Sequence, residues 1–131
     1  MEQPRGAGGP AASTAGMRCQ IDIDGEGGYG WRLIASNGRP VAVAQVSYAS
    51  HARCRSAFVA LCATHDRHTG GIQHSAGGGG WVWVLRDLRG TVVAASSRTY
   101  ERHATCRTAF ERFRSMLPEL EPEKGALWGE A

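Results

Sequence analysis

The residues best suited to chemistry in this 131-residue chain are two imidazole–thiol pairs, His51-x-x-Cys54 and His103-x-x-Cys106. On a helix each pair stands one turn apart, and two histidines with two cysteines match the ligand inventory of structural zinc. A cysteine with a neighbouring histidine base would also suit nucleophilic catalysis. Both readings meet the same objection. Cys54 and Cys106 fall on apolar helical stripes, where a buried and inert thiol is the ordinary outcome. We therefore expect no bound metal and no cofactor. Cys19 and Cys62 complete the thiols, and no Cys-x-x-Cys pair or dense cysteine framework suggests disulfides. His65, His68 and His74 lie in a stretch read as a linker and are expected to be solvated. Only four acids, Asp66, Asp87, Glu101 and Glu111, occur between Tyr29 and Met116, and no close carboxylate pair or nucleophile elbow is present. The expectation is a protein that is not an enzyme.

The His–Cys pairs are positioned by a repeat. Shifted by 52 residues, the sequence matches itself at 12 of the 33 positions from Tyr29 to Leu61, without a gap. Trp31 falls on Trp83, Leu33 on Leu85, Gly38 on Gly90, Tyr48 on Tyr100, and Phe58 on Phe110. Alternating apolar residues predict strands at 18–24, 29–35 and 41–46. Asn37-Gly38 predicts a two-residue hairpin turn with positive φ at both positions. From Ser50 the period becomes helical, with Cys54, Phe58, Leu61 and Cys62 on one stripe and Ser47 or Ser50 as N-cap. The second copy predicts a weak strand near 71–75, a flexible Gly77–Gly80 turn, strands at 81–85 and 91–96, and a helix over 100–117. Glu101 is placed in the first turn of that helix. The Gly77–Gly80 run leads into a strand and not a helix N-terminus, which argues against a phosphate loop.

One copy alone would leave sheet edges open and bury little. The two together predict an α+β fold: two tandem strand-strand-strand-helix repeats with pseudo-two-fold symmetry, an antiparallel sheet with both helices on one face. The expected divisions are a disordered N-terminal extension at 1–17, a first repeat at 18–68, a second at 69–117, and an acidic C-terminal tail at 118–131. Met17 stands immediately before the first strand and could be the true start. In the tail, Leu127 and Trp128 are candidates for clipping back onto the domain or onto a partner.

Gly30-Trp31-Arg32-Leu33, Ala35-Ser36-Asn37-Gly38, the following valine strand, Tyr48 and the short helix together resemble the YegP-like family. These are small bacterial and archaeal domains, often in tandem, of unknown function. The resemblance covers 18–117 and departs at Leu88-Arg89, where Asn is expected before Gly90. It implies three antiparallel strands and a helix per repeat, with two repeats building one sheet, and it supplies no catalytic or cofactor residues.

Charge bears on partners. Residues Tyr29 to Met116 carry 12 Arg against those four acids, while both flanks are net acidic. Arg32, Arg39, Arg86, Arg89 and Arg98 are candidate contacts for phosphates or an acidic partner, and Trp128 is a candidate partner contact. Tyr29, Trp31, Trp81 and Trp83 could stack bases. However, they share a side with the apolar strand residues and are expected to pack under the helices. No stretch of roughly 20 apolar residues and no secretory leader is apparent, so a cytoplasmic, non-membrane protein is expected. The favoured function is protein association or self-association through open sheet edges and the tail. The alternative is weak, sequence-tolerant nucleic-acid binding through the Arg-rich core.

Overall fold

A computed structural model describes residues 14–130. The expectation of disorder for the first 13 residues lies outside that range. The chain forms β1 (Arg18–Ile23), β2 (Tyr29–Ile34), β3 (Pro40–Ala44), α1 (His51–Ala63), β4 (Thr69–His74), β5 (Trp81–Arg86), β6 (Val92–Ser96) and α2 (His103–Met116). Short 3₁₀ turns follow at His65–Arg67, Leu117–Glu119 and Gly125–Trp128. The six strands make one antiparallel sheet in the order β1-β2-β3-β6-β5-β4, so the third strand of each half meets the other at the centre. The fold is α+β.

Alternation decides which side of the sheet becomes core. Trp31 and Leu33 on β2 are buried, as are Trp83 and Leu85 on β5, while Arg32 on the opposite side is exposed. α1 lies over β1 and β2, and α2 over β4 and β5. The α1 stripe of Cys54, Phe58, Leu61 and Cys62 is buried as its spacing predicts. Trp31 meets Phe58 edge-on at 4.9 Å, whereas Trp83 stacks on Phe113 at 4.7 Å and also touches Phe110 at 5.6 Å. Ser50 caps α1, its hydroxyl accepting from the Arg53 N–H at 3.1 Å.

Several local expectations are corrected. The Asn37-Gly38 turn is a three-residue loop: Gly38 N–H donates to Ala35 O, Ala35 N–H donates to Arg39 O, and Gly38 alone takes positive φ. This is a type I turn closed by a left-handed glycine. The second hairpin repeats it, with Gly90 N–H donating to Asp87 O and φ at 84°. Because only the last loop residue needs that conformation, Leu88-Arg89 replaces Ser36-Asn37 without strain. β4 begins at Thr69, two residues earlier than expected. Gly70 is confined there, since a Cβ would run into Val84 O and the Phe110 ring. α2 begins at His103, so Glu101 precedes the helix and its first turn holds no acid. Met17, placed by its sequence in the extension, is buried in the core.

The tail is part of the same core. Leu120 and Leu127 are 7 % and 6 % exposed, and Trp128 packs edge-on against Phe58 at 5.8 Å. The Trp128 Nε1–H donates to Pro122 O at 2.9 Å, and the Arg55 guanidinium sits 4.4 Å from the centre of its ring.

Candidate functional site

The repeated His–Cys pairs occupy matching places and do not meet. His51 opens α1 and His103 opens α2, over opposite halves of the sheet. Each imidazole lies against the aromatic that starts its strand: His51 is 6.3 Å from Tyr29 and His103 is 4.8 Å from Trp81. Their partner thiols, Cys54 and Cys106, are fully buried. Among the described residues no three His, Cys, Asp or Glu side chains gather as metal ligands.

All four thiols are free and buried. Burial pushes Cys54 up to about 11 and Cys62 up to about 12. Cys106 is raised by burial as well, and Cys19 more strongly, with Cys54 and Cys62 adding repulsion. A raised folded-state pKa means that the neutral thiols support folding fully below pH 9. That support falls as pH climbs through 11 to 12, where the unfolded chain has already ionised. We expect none of the four to react with a thiol reagent at pH 8 in the native chain and all to react in denaturant. Urea midpoints should drop between pH 9 and pH 11. Native mass spectrometry should show no stoichiometric zinc; one tightly held ion per chain would contradict this reading.

The arginines fall into separate groups. Arg32 projects from the helix-free face of β2, its Nη2 donating to Gln20 Oε1 at 2.9 Å and lying 3.4 Å from Asp22 Oδ2. Arg39 and Arg98 lie at one end of the central strand pair, where the Ser97 hydroxyl donates to Pro40 O. Arg98 covers the Tyr100 ring at 4.7 Å. Arg86 and Arg89 lie at the opposite end, at and beyond the close of β5. The five therefore do not form one stripe. Trp128, a candidate partner contact, is half-buried against its own chain. Trp31 and Trp83 are 2 % and 1 % exposed, which removes them as stacking surfaces.

The two edges of the sheet differ. Beside β1 the Gly125–Trp128 turn packs down, and Arg55 Nη1 bonds Glu130 Oε2 at 2.8 Å. Neither edge strand hydrogen-bonds beyond its one neighbour among the described residues, β1 pairing with β2 and β4 with β5; they differ in what packs against them, α1 and the tail turn on β1 but α2 on β4.

This arrangement of strands and helices has solved counterparts. The protein of unknown function yegP from E. coli, a solution NMR structure, superposes with a TM-score of 0.60 over 79 % of this chain and 87 % of that one, at 11 % identity. The fold is YegP-like. A UPF0339 protein from Shewanella oneidensis matches with a TM-score of 0.54 over 76 % of this chain and 82 % of its own, at 10 % identity. No family model and no curated protein matches the sequence. At these identities the YegP-like likeness concerns the path of the chain alone.

Two polar residues were missed as site candidates. His68, expected to be solvated with His65 and His74, is buried, its Nδ1 2.8 Å from Thr64 O. His74 stacks on Trp81 at 3.9 Å. Asp87 anchors the second hairpin, its Oδ1 accepting from the N–H groups of Arg89 and Thr91. Neither residue belongs to a periodic pattern, and nothing in their spacing marks them as neighbours.

Proposed function

We propose that this chain is a non-enzymatic domain that works by protein association, taking up an extended partner segment along β4. The observation that carries this reading is the difference between the two edges: the tail turn packs against β1, whereas β4 packs against β5 and α2, and its outward N–H and C=O groups have no hydrogen-bond partner among the described residues. Such an edge is a template for strand addition, with backbone hydrogen bonds giving affinity. Thr69 of β4 pairs with Arg86, and the exposed Arg67 precedes it, so an acidic segment is the natural complement. The Arg-rich core also motivates nucleic-acid binding. The burial of Trp31 and Trp83 weighs against that reading by leaving only the half-buried Tyr29 and Trp81 of the four aromatics for base stacking.

Gly71 offers a test, because a Cβ there meets nothing within 4 Å. Gly71→Lys combined with Gln73→Lys should leave circular dichroism unchanged, as edge lysines block strand addition without unfolding a sheet. Nuclease-treated extract of the native host, captured on the wild type, should yield a partner that the double variant loses by about tenfold or more, the weight of one strong contact. Capture that is nuclease-sensitive, falls steeply with salt and disappears in Arg86→Gln/Arg89→Gln would instead establish nucleic-acid binding.

A further inference from the structure

Beneath the C-terminal half of α1, facing the β5–β6 hairpin, lies a hollow of ≈ 210 Å³ with apolar walls that include Trp31, Tyr48, Leu61 and Val93. A second hollow of ≈ 270 Å³ shares Thr64, His68 and Asp87 with it and has the exposed Arg67 and Arg89 on its rim. Each alone falls somewhat below the size range of small-molecule sites, about 300 Å³ upward, and the shared residues place the two side by side.

Its polar chemistry can be derived. A carbonyl oxygen only accepts, so the His68 Nδ1 beside Thr64 O carries the proton. In the neutral ring Nε2 then holds a lone pair. It has no hydrogen-bond partner among the described residues, although His68 is only 9 % exposed. Asp87 uses Oδ1 for the hairpin N–H groups, and its Oδ2 has no partner. Asp87 is half-buried, but an acceptor on the buried His68 without a donor is costly unless something supplies one. The fold itself does not require this pair: at the equivalent positions 52 residues away stand Leu120 and Ala35. Ala35 starts the same kind of turn without a carboxylate.

We propose that this hollow binds a small zwitterion, a free α-amino acid with an apolar side chain. The ammonium group supplies donors to His68 Nε2 and the Asp87 carboxylate, the side chain lies against the apolar walls, and the carboxylate faces Arg67 and Arg89. This site is independent of the β4 edge.

The test uses the full chain and L-leucine, with isopentylamine, which lacks the carboxylate, and 4-methylpentanoate, which lacks the amine. Binding is followed through the Trp31 indole and Val93 amide resonances, with the Trp83 indole as a folding control. Leucine should shift the first two saturably, isopentylamine should bind more weakly, and 4-methylpentanoate should not bind. Asp87→Asn keeps an Oδ1 acceptor for the hairpin and removes the charge. It should weaken leucine about tenfold or more, the range for losing a charged hydrogen bond. His68→Phe should do the same, and if it fails to fold, Ala57→Leu, which fills the hollow, should abolish binding. The proposal is overturned if millimolar leucine leaves both resonances in place. It is equally overturned if 4-methylpentanoate binds as well as leucine, or if Asp87→Asn binds unchanged.

Discussion

Cutting the chain after Leu117 is expected to leave it largely unfolded. The removed segment carries Leu120 and Leu127, both buried, and Trp128, which closes over Phe58. Each fully buried large apolar side chain contributes about 1.5–3 kcal/mol, so the loss approaches about 5 kcal/mol or more. A domain of this size has about 5–15 kcal/mol in total. The Arg55–Glu130 ion pair adds little, since both partners are substantially exposed. Thermal unfolding followed by circular dichroism gives the answer. A truncated chain with an unshifted midpoint would show that the tail is dispensable. A binding defect in such a truncation could not be assigned to a lost partner contact, because the same cut removes part of the core.

Trp83→Ala should cost about 3–5 kcal/mol, as large aromatic truncations in a core do. Its ring is 1 % exposed, stacks on Phe113 and touches Phe110, so its removal opens a cavity in the core. Trp81→Ala should cost distinctly less, because that ring is half-buried and lies between two exposed histidines, His74 and His103. Urea denaturation of the two variants measures the difference. Equal losses would mean that the strand faces have been assigned wrongly.

Trp31 and Trp83 also show how much of the fold is legible in the sequence. Their alternation with Arg32 and with valines placed them on the inner face, and the spacing of Cys54, Phe58, Leu61 and Cys62 set the stripe of α1. These patterns are periodic, and periodicity survives in one dimension. Where side chains are missing or the element is a single turn, the pattern is lost. Gly70 and Gly71 gave no alternation to mark the start of β4, and Leu127 and Trp128 sit in a four-residue 3₁₀ turn. The loop at Asn37-Gly38 was mistaken for a shorter one because a glycine ends both kinds of turn. His68 and Asp87 line one hollow only because the turn that follows α1 approaches the second hairpin, which no local spacing encodes.

The seam between β3 and β6 bears on how the molecule assembles. All other neighbouring strands are joined by short connections, so their pairings close small loops. Ala42 with Ser96 and Ala44 with Ala94, by contrast, join residues from opposite halves of the chain. Loop-closure entropy makes such distant pairings slow to form, and they raise the mean contact order. Apart from Val43, opposite Ala95, the paired side chains are small and contribute little apolar area, so the seam is expected to zip last in refolding and open first under strain.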